Sequence, residues 1–199
     1  MRPANGSVLH KFTRNVPHWQ PRVVPVRLED ATQDQLDALK VTPSNTKVSN
    51  YVLTLAHDAE SLAIRSPLFN AIMYDPGGMS RAEREIGALA ASMVNHCVYC
   101  AAVHADRHAK LAKDESLTDA LFAKGAEADL PPREKAIFDF ARKAAEAPPT
   151  ADAADMAALR AQGLGEDEIL DLILSSALFG WANRLMHVLG DPVRQTEPA

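Results

Sequence analysis

Apolar residues recur at helical spacing between clear start and stop signals, and Val, Ile and Thr never cluster into alternating runs. That pattern leaves the chain little choice but helix. Alanine, the best helix former, is concentrated at 88–91 and 157–161. From Val48 an apolar set of Tyr51, Leu55, Leu62, Leu68, Phe69 and Ile72 runs to a break at Asp75-Pro76-Gly77-Gly78. Ser80 followed by Glu83 is a capping box that opens a helix through Ile86, Leu89, Ala90 and Met93. Asn95-His96 predicts a break, because Asn favours turns and caps. Further helices are expected over residues 97–111, 116–124, 132–147, 151–161 and 166–189. Pro131-Pro132 and Pro148-Pro149 punctuate them, and Gly163 and Gly165 precede the last. The expectation is an all-α bundle of about seven helices and no sheet. Residues 1–45 carry five prolines (Pro3, Pro17, Pro21, Pro25 and Pro43) and read as an extended N-terminal arm, with one short helix over 33–39 capped by Thr32. Residues 46–190 then form the helical domain and 191–199 a C-terminal tail.

Composition narrows the function classes. With 199 residues, 47% hydrophobic and 24% charged, the chain is long and apolar enough for one substantial core. A formal net charge of −5 argues against nucleic-acid binding, which calls for a basic patch. Arg81, Arg84, Arg107 and Lys110 interleave with Glu83, Glu85 and Asp106, the pattern of a solvated helix face. No run approaches the roughly 18 apolar residues of a membrane span, and the start, Met1 to Lys11, lacks the apolar segment of a signal peptide. The expected protein is cytoplasmic, engaging neither membrane nor nucleic acid.

Both cysteines of the chain sit in one Cys-x-x-Cys, Cys97 and Cys100. In an intracellular protein a lone close pair points to chemistry rather than to a disulfide scaffold. At a helix start, unpaired N–H groups and the helix dipole favour thiolate over thiol. Residues three apart share a face, so the two sulfurs can join reversibly. His104, one turn after Cys100, can exchange a proton with its sulfur. Glu85 would lie roughly 22 Å from Cys100 along a continuous helix. A chain reversal at Asn95-His96 would instead bring it level with His104. The resulting expectation is a relay in which Glu85 orients His104 and His104 activates Cys100. Zinc on Cys97, Cys100, His104 and His108 is the rival, but residues 97–108 span roughly 16 Å as one helix, too long for a tetrahedral ion. No cofactor or metal is expected. A thioredoxin-like fold would need a βαβ frame that the pattern lacks. His10, His18, His57, His108 and His187 read as structural or exposed, and the methionines as gap fillers.

The run from Arg84-Glu85-Ile86 through Asn95-His96-Cys97-Val98-Tyr99-Cys100 to His104 resembles the alkylhydroperoxidase D-like family of the carboxymuconolactone decarboxylase-like superfamily, in particular its uncharacterised peroxidase-related branch. The resemblance covers about residues 50–190, including Phe179-Gly180-Trp181-Ala182-Asn183-Arg184. It implies an all-α homo-oligomer (dimer, trimer or hexamer) and a thiol-dependent peroxidase acting on hydrogen peroxide or organic hydroperoxides. The position of Cys100 is then the peroxidatic cysteine, Cys97 resolves it, and Glu85 and His104 form the proton relay. A lipoyl- or thioredoxin-like protein would reduce the disulfide. The best-studied members carry a second histidine inside the Cys-x-x-Cys, where this chain has Tyr99, with His96 just outside. Two other functions fit less of the pattern. One is a carboxymuconolactone decarboxylase-like lyase, whose members generally lack the Cys-x-x-Cys. The other is a non-enzymatic redox switch.

Overall fold

A computed structural model describes residues 7–40 and 48–194. Pro3 and Pro43 of the expected arm, and residues 195–199 of the expected tail, lie outside the described residues. Among the described residues there are nine α-helices: α1 Gln33–Ala38, α2 Asn50–Leu55, α3 Ala59–Tyr74, α4 Arg81–Val94, α5 Val98–Ala112, α6 Ser116–Lys124, α7 Pro132–Ala145, α8 Ala153–Ala161 and α9 Glu166–Leu189. The fold is all-α, with one correction to the sequence reading. Strands β1 His18–Pro21 and β2 Gly190–Val193 pair antiparallel, with Trp19 opposite Pro192. Four-residue strands holding prolines give no alternation to read. Only the return of the chain after α9 supplies each with a partner.

The chain divides into two compact units. One gathers Pro17–Asp75 with the described residues before His10 and after Arg184. Its two-stranded ribbon is anchored by buried Trp19, which meets Tyr51 edge-on at 5.6 Å and donates Nε1–H to Met186 O at 3.4 Å.

The other unit, His10–Val16 and Pro76–Arg184, holds the Cys-x-x-Cys. Its core is built from Ile86, Leu89, Ala101, Leu121, Ile137, Phe138, Leu159, Ile169 and Leu172. Helix α4 runs through the middle: every residue from Arg84 to Ser92 is buried. Ala88, Ala90 and Ala91 let neighbouring helices come close, and so does Gly87. A Cβ there would stand 2.7 Å from Ser175 Oγ and 2.9 Å from Leu172 Cδ1 on α9. Two of the three arginines of the expected solvated face, Arg81 and Arg84, are instead engaged, which corrects that reading. Arg84 is buried and donates to Asp171 Oδ2 at 2.8 Å and to Gly77 O at 2.6 Å. Arg81 turns inward to Glu85. Arg133 of α7 ties Glu83 of α4 (2.6 Å) to Glu168 of α9 (2.8 Å). Counting residues in the sequence cannot show which charged side chain meets a partner three helices away.

Helix α9 is long and apolar enough to cross a membrane by length and composition, with a mean hydropathy of 1.2 over its best window, although no uninterrupted apolar run announces it. Within the protein, 44% of that window is buried. The buried residues include the polar Ser175, Ser176 and Asn183, a mixture that suits a core helix with hydrogen-bond partners at hand.

Candidate active site

The site begins with the way α4 ends. Asn95 caps the helix, its Nδ2 donating to Ala91 O at 2.9 Å. His96 then takes a left-handed conformation (φ 53°), and two reversed hydrogen bonds close the end: His96 N to Met93 O (3.1 Å) and Cys97 N to Ser92 O (2.9 Å). This is a Schellman motif with histidine where glycine is usual; histidine is among the residues that tolerate that region. Cys97 is thereby the last residue of one motif and the N-cap of the next helix, and Cys100 falls in the first turn of α5. The reversal also lays α5 against α4, which places Glu85 beside His104.

Glu85 has 0% and His104 2% of its surface exposed. Glu85 Oε2 lies 2.6 Å from His104 Nδ1, and Glu85 Oε1 accepts from Arg81 Nη2 (3.0 Å) and Nε (3.2 Å). The Phe179 ring stands edge-on to the imidazole at 4.1 Å. Burial works to raise the Glu85 carboxyl, but the hydrogen bond and charge of His104, with the charges of Arg107 and Arg81, outweigh it and hold the group below its usual value. Burial depresses the His104 imidazole against the pull of Glu85. At neutral pH the pair is therefore a carboxylate and a neutral ring. Nδ1–H donates to Glu85, which leaves the lone pair on Nε2. Such a ring can accept a proton, and the carboxylate behind it can stabilise the cation formed.

Both groups lower stability in acid. The unfolded chain binds a proton at His104 more readily than the folded one does, so the stability present above the ordinary histidine value of about 6.5 is lost as pH falls below it. Buried His108 is shifted the same way. Glu85 adds a second loss, as pH falls through its lowered folded value. Melting temperature should thus decline on acidification from pH 7, and between pH 7 and 5 the decline should be shallower in His104→Gln.

Cys97 and Cys100 are buried and reduced, with their sulfurs 2.6 Å apart. A disulfide is about 2.05 Å, so bonding asks for very little movement. The two are not equivalent. A hydrogen bond from Cys100 favours the thiolate of Cys97, against burial. Burial, and then the neighbouring sulfur, push Cys100 well up. The helix start was expected to lower Cys100; its depth in the core wins instead. Cys100 is thus held as a thiol, and Cys97 is the more readily ionised of the two. His104, one turn after Cys100 on the same face of α5, is placed to compete for that proton.

The structure thus brings Glu85 to His104 and Cys97 to Cys100, as the spacing predicts. Sequence reasoning missed Arg81 as the second partner of Glu85, although its position four residues earlier is a readable signal. His96 is exposed and stacks with Phe12 at 6.3 Å, and Phe12 stacks in turn with Phe122 at 5.7 Å. Among the described residues, no group of three or more His, Cys, Asp and Glu is arranged to hold a metal ion.

An all-α domain with a buried dithiol and a carboxylate–imidazole pair behind it defines the class. A sequence profile of the carboxymuconolactone decarboxylase family matches residues 59–146. The solved alkylhydroperoxidase AhpD core protein of Ralstonia eutropha JMP134, an uncharacterised peroxidase-related protein, is 29% identical with a TM-score of 0.74, over 91% of this chain and 94% of its own. A peroxidase-related protein of Silicibacter sp. TM1040, 24% identical, shares the fold over 95% of this chain and 92% of its own with a TM-score of 0.67. So does the debrominase Bmp8, 18% identical, over 84% and 89% with a TM-score of 0.69. No curated protein sequence matches. Residues 59–146 therefore carry the carboxymuconolactone decarboxylase family pattern on a fold shared with the AhpD core protein, which supports a general peroxidase-like or decarboxylase-family role. The debrominase shows that the fold also serves other chemistry.

Proposed function

We propose that the chain is a thiol-dependent peroxidase that reduces hydrogen peroxide or organic hydroperoxides through Cys97 and Cys100, with Glu85 and His104 as its proton relay. The observation that carries this reading is a fully buried carboxylate–imidazole contact of 2.6 Å on the helix that also presents two reduced sulfurs 2.6 Å apart.

The resting charge distribution explains why a base is needed. Cys100 is a thiol, so to attack it must first give up its proton, and His104 Nε2 accepts it while the Glu85 carboxylate stabilises the imidazolium. The Cys100 thiolate attacks one peroxide oxygen. The S–O bond forms as O–O breaks, and the departing alkoxide or hydroxide takes the proton from His104. Cys100 is now a sulfenic acid. The Cys97 thiolate attacks its sulfur, the S–S bond forms, and hydroxide leaves as water after taking up a proton. Peroxide has been reduced to alcohol and water, and two cysteines have been oxidised to a disulfide. A lipoyl- or thioredoxin-like dithiol protein, acting in the cytoplasm, would return the pair to its reduced state by exchange.

Mass spectrometry after one equivalent of peroxide tests the reading directly. The expected products are a disulfide between residues 97 and 100 in the wild type and, in Cys97→Ser, a sulfenic acid trapped on Cys100. A wild-type protein left fully reduced by peroxide would overturn the proposal. A sulfenic acid that forms only on Cys97, in Cys100→Ser, would reverse the roles of the two sulfurs.

A further inference from the structure

Helix α9 keeps one narrow face uncovered. From Asp167 to Arg184 its exposed positions are Asp167, Leu170, Leu174, Ala177, Trp181 and Arg184, and every residue between them is buried or half-buried. The steps along this stripe alternate strictly between three and four residues, the pattern of a seam between two helices. A solvated stripe would carry charge along its length. Here the four central positions are apolar, with Leu170 54%, Leu174 39% and Trp181 45% exposed. The two charged positions stand one at each end and are opposite in sign. All six lie in the unit that holds the Cys-x-x-Cys.

The geometry points to a second copy of this chain as the cover for that face, the two α9 stripes pairing antiparallel about a two-fold axis. The end charges set the register. Placing Asp167 of each copy against Arg184 of the other brings Leu170 level with Trp181 and Leu174 level with Ala177, and the symmetry makes every pair twice. A parallel pair would oppose Asp167 to Asp167 and Arg184 to Arg184. The antiparallel seam runs about 26 Å, the length of the helix between the two charges. Its middle sets leucine against alanine, large against small, and its tryptophan is of the type that most often anchors an interface. In the single chain Arg184 donates along its own helix to Gly180 O; the pairing offers it a carboxylate. A bilayer is the other cover for an apolar helix face. Helices that lie on membranes flank that face with lysine and arginine, whereas α9 opens on Glu166, Asp167 and Glu168. The charges therefore favour the second copy. Nothing in this pairing depends on the dithiol chemistry.

Sedimentation velocity over a range of concentrations tests it on the full chain. One helix pair is a small interface, so the wild type should form a dimer with a dissociation constant in the micromolar range. Trp181→Glu should stay monomeric over the same range, with its helix content by circular dichroism unchanged. Asp167→Arg and Arg184→Asp each set like charges together at both ends of the seam, and each should weaken the dimer about tenfold or more. An equimolar mixture of those two variants should associate again, because every arginine at a seam end then meets an aspartate. Should Trp181→Glu not fold, that mixture decides alone, since it alters only exposed charges. A wild type that stays monomeric overturns the proposal, and binding of that monomer to phosphatidylcholine/phosphatidylglycerol vesicles would assign the face to a bilayer instead. A dimer that persists in folded Trp181→Glu overturns it too, as does a mixture that associates no better than either charge variant alone.

Discussion

Cys100→Ser is expected to reduce peroxide consumption, followed with a dithiol reductant, by about 10³-fold or more while leaving the helical fold in place. Serine cannot ionise at neutral pH and is not oxidised by peroxide, so the attacking atom is lost rather than weakened. Cys97→Ser should behave differently. The first turnover should survive as a sulfenic acid, and steady turnover should fail because no neighbouring sulfur closes the disulfide. The contrast matters because Cys97, and not Cys100, is the more readily ionised sulfur. If Cys97 were itself the attacking sulfur, the two variants would exchange behaviours. Equal rates in wild type and Cys100→Ser would remove the thiol mechanism altogether.

Glu85→Ala is expected to have the largest combined effect on stability and rate. The carboxylate is fully buried and serves Arg81 through one oxygen and His104 through the other. Its removal leaves the buried imidazole N–H without its acceptor and takes one acceptor from the Arg81 guanidinium, a loss of about 3–5 kcal/mol. For a chain of this size that corresponds to a fall in melting temperature of roughly 10 °C. Peroxide consumption should drop by about 10²–10⁴-fold, the range for a disabled general base. Glu85→Gln separates the two effects. It keeps a neutral acceptor for His104 Nδ1–H and should recover much of the stability. It removes the charge that stabilises the imidazolium, so most of the rate should stay lost. A Gln variant as active as wild type would show that Glu85 only packs and positions.

The division between what could be read and what could not follows from range. Helix starts and stops are local: Ser80 with Glu83, Thr32 with Gln35, and the prolines before α7 act within one turn, and each appears where its signal lies. The reversal at Asn95-His96 is local too. Once a reversal is granted, residue counting alone brings Glu85 level with His104. The amino-acid order therefore determined the all-α class, most helix boundaries and the meeting of the carboxylate with the imidazole. Tertiary structure decided what depends on depth and on distant chain segments. It paired β1 with β2 across most of the chain, and it turned Arg81 and Arg84 inward to Glu85 and Asp171. It also sank Cys100 deep enough that burial outweighs the helix start. The physical reason is that desolvation and long-range hydrogen bonds depend on what packs around a group. No spacing along the chain encodes them.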